Sequence, residues 1–319
     1  EVYQEEENLS ANFPQFDFHF LPQRNDDLYW YLSYLSAVPD GSNQPNGFGG
    51  YLHGIVPVGE GLDQAQNQII SSDPSENHYK YNPEDIVTTL DSDFWAVDIN
   101  QDWSSGEMEY TGHILVTHGT WNEELGQMEF DEFLLDCPVA EGIEKPFDAK
   151  ICFSIINSLL GYIAVIGNNN ELGFCENALY PIYWKTTDGG QTWSEPHEIQ
   201  IGGTDGIDIL KDEYLLSDNQ IEYIYYPPYP TRDEIVYTTA FDLDITVDNI
   251  NRLHIATGVG IQNTNAPFEI ITESGFYSVV DIIVDNNDEV YDAFVIDRPK
   301  QFRSDIFPEM TEDNRIQTG

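Results

Sequence analysis

The chain has 319 residues, and its 12 Lys and Arg face 57 Asp and Glu, a formal charge of −45. That balance excludes nucleic-acid phosphates and anionic membrane surfaces as partners, because both are held by clustered cations. With 40% hydrophobic and 13% aromatic residues the chain can still bury a core, so the charge does not signal disorder, and no apolar run is long enough to span a bilayer. The start at Glu1, with neither Met nor a basic-then-apolar leader, leads us to expect a processed product or a fragment.

In chain order, residues 39–50 are rich in Gly, Pro, Asn and Ser and read as a long surface loop. Residues 83–90 are expected to form a short turn of helix, the main helix signal. Residues 95–98 and 112–116 read as strands. So does Gly161-Tyr-Ile-Ala-Val-Ile-Gly167, closed by three Asn. Residues 222–226, ending at Pro227-Pro228, and residues 235–239 are β-branched and aromatic runs of the same kind. Short strands with regular turn chemistry predict an all-β sandwich, barrel or propeller.

Repetition favours the propeller. Val247-Asp248-Asn249 and Val284-Asp285-Asn286 sit in similar strand–turn–strand segments 37 residues apart, and Val97-Asp98 begins a looser third copy. A spacing of about 40 residues is one four-stranded blade, so the 319 residues predict a single β-propeller domain over 1–319 with about six to eight blades and little helix.

The most specific motif is Thr186-Thr-Asp188-Gly-Gly190-Gln-Thr192-Trp193, which fits Ser/Thr-x-Asp-x-Gly-x-Thr-Trp at every defined position. Its chemistry is that of a turn: Asp188 can accept backbone N–H bonds, Gly190 can take positive φ, Thr192 can bond back, and Trp193 can cover the hairpin against a neighbouring blade. On this octamer the chain resembles the Asp-box (BNR-repeat) β-propellers of the sialidase-like superfamily, and its style is that of secreted Bacteroidota surface proteins. The resemblance implies a six-bladed or related propeller, often secreted, that binds or cleaves glycans. It also implies that Thr186, Asp188, Gly190, Thr192 and Trp193 are structural and lie away from any catalytic face.

Sialidase chemistry itself is not expected. That family holds a carboxylate with three arginines and carries Arg-Ile-Pro ahead of its first Asp box. Here Arg24, Arg232, Arg252, Arg298, Arg303 and Arg315 are the only arginines, and none precedes Ile-Pro. Another glycosidase would need two carboxylates across a cleft, and pairs such as Asp91/Asp93, Glu129/Glu132 and Asp242/Asp244 read equally as solvated loop charges. No His-Glu-x-x-His, Gly-x-Ser-x-Gly or phosphate-binding loop is present. Cys137, Cys152 and Cys175 lack zinc spacing and read as small buried residues or as one Cys152–Cys175 disulfide beside a free thiol.

Asp98, Asn100 and Asp102 place oxygens at alternate positions, with Glu109 following where a calcium loop puts its bidentate carboxylate. Structural calcium is therefore the one expected cofactor, against a metal-free capped turn. The functional expectation is an extracellular, non-catalytic β-propeller binding a protein or glycan at a bacterial cell surface. A propeller-class glycoside hydrolase or lyase, and an architectural part of a surface assembly, are the alternatives.

Overall fold

The computed structural model describes residues 3–4, 9–10, 12–21, 30–39, 48–61, 64–263, 267–271 and 275–298. Strands β1 (Tyr3–Gln4) and β2 (Leu9–Ser10) form a short ribbon. All other strands fall into four antiparallel sheets of four, each a meander of consecutive strands. Blade 1 is β3 (Asn12–Phe20), β4 (Trp30–Pro39), β5 (Gly49–Pro57) and β6 (Gln66–Ser71). Blade 2 is β7 (Asp85–Thr88), β8 (Phe94–Asp102), β9 (Glu109–Asn122) and β10 (Gln127–Asp136). Blade 3 is β11 (Phe147–Phe153), β12 (Gly161–Gly167), β13 (Tyr180–Thr186) and β14 (His197–Glu198). Blade 4 is β15 (Tyr237–Val247), β16 (Leu253–Ile261), β17 (Tyr277–Val284) and β18 (Val290–Asp297). Adjacent sheets meet through their first strands, β3 on β7, β7 on β11 and β11 on β15. Four-stranded meanders stacked on their first strands make an all-β propeller with little helix, as the strand and turn pattern predicts.

The described residues hold four blades, where dividing the length by a typical blade gave six to eight. The reason is long connections. Residues 199–236 between blades 3 and 4 alone carry a π-helical turn (Leu210–Tyr214), helix α1 (Asp218–Ile224) and a 3₁₀ turn (Arg232–Glu234). Much of the predicted loop at 39–50 lies outside the described residues.

The core lies in the seams between blades. Leu35, Tyr51 and Ile86 meet Phe94 and Met128 in the first seam. Trp95, Val97, Ile151, Ile163 and Trp184 fill the second. Tyr162, Tyr183, Leu243, Ile255 and Val280 fill the third. Strand β12 is buried at all seven residues, because a blade flanked by two others has no wet face. That is why it reads as one apolar run with no alternation.

Three sequence expectations change. Residues 85–88 are the inner strand β7, paired with β8, not a helix; inter-blade packing overrides the helix-start look of Pro83-Glu84-Asp85. Residues 222–224 belong to α1, not a strand. There the Gln220 side-chain oxygen accepts the Ser217 N–H at 2.9 Å and its hydroxyl at 2.7 Å, closing a helix start, while Ile221 is buried. The hairpins at Asp248 and Asp285 are not one blade apart. They are the β15–β16 and β17–β18 turns of the same blade, and Asp98 lies inside β8, not in a turn. Their likeness is turn chemistry: Asp248 accepts the Ile250 and Arg252 N–H groups, and Asp285 accepts those of Asn287 and Glu289. Among the described residues no helix is long and apolar enough to cross a membrane.

Candidate functional site

Antiparallel meanders put the first-to-second and third-to-fourth strand turns of every blade at one end of the propeller, and the other connections at the opposite end. Residues 186–193 join β13 to β14 and so sit at the first end. Thr186 Oγ1 donates to Asp188 at 2.8 Å and accepts the Gly190 N–H at 2.8 Å. Asp188 accepts the Thr192 N–H at 2.9 Å and the Thr192 hydroxyl at 2.6 Å. These bonds hold the Asp188 carboxyl below its usual range, the Thr192 hydroxyl contributing most. Gly189 and Gly190 have φ of 73° and 84°. Trp193 is partly buried and meets Trp95 of blade 2 edge-on, ring centres 6.2 Å apart.

The same end is laced together across blades. Ser154 donates to Asn251 at 2.7 Å, the Ser158 hydroxyl bonds to Asp91, and Lys185 reaches Asp288 at 2.9 Å and the Asn286 carbonyl at 2.8 Å. Its polar groups are largely committed to one another.

The four calcium candidates do not converge. Asp98 is buried, accepts the Tyr51 hydroxyl at 2.5 Å and the Tyr81 N–H at 2.9 Å, and burial drives its carboxyl well up toward the neutral form. The Asn100 oxygen accepts the Tyr79 N–H at 2.8 Å, and its amide donates to the Asn77 carbonyl and to Thr111. Asp102 and Glu109 are cross-strand partners at the end of the β8–β9 ladder, where Asp102 accepts the Ser104 N–H at 2.8 Å and Glu109 is exposed. Among the described residues no three His, Cys, Asp or Glu side chains are grouped to hold a metal ion. A hard cation needs six or more oxygens around one point. Calcium and sodium chloride at matched ionic strength are therefore expected to raise the melting temperature equally, as screening of the −45 charge requires. A calcium-specific increment that disappears in an Asp98→Asn, Asp102→Asn chain would restore the site. The three cysteines are buried and free, so the disulfide alternative is not formed. Burial pushes the Cys137 thiol up to about 12 and the Cys175 thiol up to about 11, which leaves both unreactive.

At the opposite end an aromatic strip crosses two blades. Tyr81, in the connection from blade 1 to blade 2, stacks on Trp103 of the β8–β9 connection at 5.3 Å and 13°. Phe48, just before β5, tilts onto Tyr81 at 5.4 Å, and Phe13 of β3 meets Phe48 edge-on at 6.1 Å. Phe48, Tyr81 and Trp103 are half-buried, Phe13 is exposed, and the Asp102 carboxylate lies one residue from Trp103. These residues are far apart in sequence, and no motif joins them.

The inner strands carry a second group that the sequence reading missed. Asp17 of β3 accepts the Thr88 N–H of β7 at 2.9 Å. Asp85 of β7 accepts the Ile151 N–H of β11 at 3.0 Å, and Asp148 of β11 accepts the Leu243 N–H of β15 at 2.8 Å. Each of the first three inner strands thus clamps the next through one carboxylate. Phe-Asp precedes two of the three, at 16–17 and 147–148, but the dipeptide also occurs at 130–131 and 241–242 and Asp85 follows Glu84, so no sequence pattern marks the set. Burial raises the Asp85 carboxyl to about 6, against the Ile151 N–H and Lys150, which favour its charge. Burial also raises Glu84 beside it.

No protein-family model matches the chain, and no curated protein does. Among solved structures, the K499G mutant of the NanB sialidase from Streptococcus pneumoniae aligns at 10% identity and a TM-score of 0.38, over 79% of this chain and 29% of that one. The polysaccharide lyase Uly1 aligns at 12% identity and 0.37, over 88% and 59%. A Trypanosoma rangeli sialidase aligns at 9% identity and 0.27, over 88% and 52%. The chain therefore spans less than two thirds of the length of each of these structures. Likenesses this distant carry no information on activity.

Proposed function

We propose that this chain is a non-catalytic, extracellular β-propeller of a cell surface that binds a neutral glycan at the end opposite residues 186–193. The observation that carries this reading is the Phe48–Tyr81–Trp103 strip. Half-exposed rings, Tyr81 stacked on Trp103 and Phe48 tilted onto Tyr81, offer an apolar surface on which a sugar's C–H face packs, and Asp102 beside Trp103 offers an acceptor for its hydroxyls. The charge selects against acidic sugars: a chain of −45 with only six arginines repels sialic acids and uronates. Titrating neutral oligosaccharides against the protein is expected to give binding that Trp103→Ala and Tyr81→Ala each weaken by roughly three- to tenfold, the order of one lost stacking contact. Binding unchanged in both variants would place the glycan elsewhere or nowhere.

The glycoside hydrolase or lyase reading has one observation in its favour. Asp85 lies on an inner strand with its carboxyl raised to about 6, the range of a general acid. Release of reducing ends or unsaturated sugars that stops in Asp85→Asn would decide for the enzyme.

A further inference from the structure

The end of the propeller that carries residues 186–193 has an apolar crown. Leu90 in the β7–β8 turn, Ile155, Ile156 and Leu159 in the β11–β12 turn, and Ile250 in the β15–β16 turn are each 51–72% exposed. A single exposed aliphatic side chain on a loop is common, but five on the corresponding turns of three successive blades form a surface. At the opposite end, among the described residues, the exposed large apolar side chains of the connections are aromatic: Phe174, Tyr223, Tyr226 and Tyr229.

Hydrogen bonds hold the three turns side by side. Ser158 bonds to Asp91, next to Leu90, and Ser154 donates to Asn251, next to Ile250, at 2.7 Å. The Leu159 carbonyl accepts the Gly189 N–H at 2.9 Å, which anchors the middle turn on its own blade. Ile155 and Ile156 are neighbours in sequence and both exposed, whereas Leu160 fills the seam beneath them. The polar groups of these turns bond to one another, so the aliphatic side chains are what remains for a partner. The crown lies on the turn end of the blades, not on a sheet face, and so is separate from the packing of blade on blade.

The rim of the crown is acidic. Asp91, Glu123, Glu124, Glu195 and Glu289 are exposed in the turns of this end. Among the described residues its cations are Lys185, held by Asp288 at 2.9 Å, and Arg252, held by Asp248 at 2.8 Å. We propose that this end docks a basic amphipathic segment of a partner protein. The segment's aliphatic side chains pack on Ile155, Ile156 and their neighbours, and its Lys or Arg side chains face the acidic rim. A second copy would bring the same acidic rim against itself, and a lipid surface would set the carboxylates against headgroup phosphates. Both contacts are repulsive where a basic partner is attracted. The proposal concerns the end opposite the aromatic strip and does not depend on glycan binding.

The probe is a synthetic amphipathic helix of about 18 residues with leucines on one face and lysines on the other. A shuffled isomer has the same charge and composition but no apolar face. At about 0.15 M sodium chloride the whole chain is expected to bind the helix, and the isomer at least about tenfold more weakly. Ile155→Ser with Ile156→Ser leaves the charge unchanged and should weaken the helix at least about tenfold, the order of one buried aliphatic side chain. Ile250→Ser, in another turn, should act in the same direction, and Tyr226→Ser, at the opposite end, should leave binding unchanged. All four side chains are exposed in the single chain, so the melting temperature of each variant should match the wild type. No binding of the helix, equal binding of helix and isomer, or binding that survives the Ile155 and Ile156 changes would each overturn the proposal. So would self-association in sedimentation, or binding to phosphatidylcholine vesicles, that those same changes abolish, since the crown would then belong to a second copy or to lipid.

Discussion

Replacing His53 by Leu is expected to remove about 3 kcal/mol of the stability that the protein loses between pH 7 and pH 4. His53, on β5, is 1% exposed, with its ring edge-on to Phe94 at 5.1 Å and Phe130 at 5.0 Å, and its Nε2 meets no partner among the described residues. Burial lowers its pKa to about 3, with nearby His19 adding to the effect. Between about pH 3 and pH 6.5 the unfolded chain binds a proton at this site that the folded chain refuses. Stability from this group is therefore full above pH 6.5 and is lost as pH falls. At pH 4 the loss is on the order of 3 kcal/mol. Denaturant unfolding at pH 7 and pH 4 should show His53→Leu gaining about that much relative to wild type on acidification. Asp85 acts with the opposite sign. A carboxyl raised to about 6 holds its proton more tightly when folded, so its contribution grows as pH falls from 6 toward 4. Asp85→Asn should lose relative to wild type over the same interval. Parallel pH profiles for all three chains would mean that neither site is buried as described.

Gly190→Ala is the second large effect. A Cβ at Gly190 would lie 2.2 Å from Cη2 and 2.5 Å from Cζ2 of Trp95, and the residue has φ of +84°. Trp95 cannot retreat. His118 stacks on it at 3.8 Å, Phe153 tilts against it at 5.3 Å, and the indole is 1% exposed. Overpacking and left-handed backbone together should cost roughly 3 kcal/mol or more. For a chain of this size that corresponds to a fall of roughly 6–12 °C in Tm. Gly189→Ala is the internal comparison. It shares the positive φ but its Cβ would meet Leu159 alone, the flexible Cδ2 at 3.3 Å and Cα at an ordinary 4.0 Å, so about 1 kcal/mol is expected. Equal losses at the two positions would mean that the seam between blades 2 and 3 does not hold the turn.

The two experiments probe different levels of organisation. Gly190 belongs to a turn whose hydrogen bonds join residues two to four apart, and its side of the propeller is tied by Ser154, Ser158 and Lys185. His53 belongs to a seam between blades, where its environment comes from Phe94 and Phe130. Lys80 is set in the same way. It is fully buried because Glu132, fifty-two positions on, accepts its ammonium at 2.7 Å, together with the Ser71 carbonyl at 2.9 Å.

The sequence by itself determined the class of fold and the local turns. Strand runs such as 161–167, and the turns at Asp188, Asp248 and Asp285, are legible because the atoms that bond are within a few residues of one another. Everything that depends on which blade lies beside which was decided by the tertiary structure. It turned 85–88 into an inner strand, placed the two Val-Asp-Asn hairpins in one blade, and sank Asp98 beneath Tyr51. It also brought Phe48, Tyr81 and Trp103 into one strip and made a clamp of Asp17, Asp85 and Asp148. In each of these cases the deciding contact joins residues from different strands or blades, in most cases tens of positions apart. The free energy of such a contact comes from packing and desolvation in a seam that exists only once the blades have stacked.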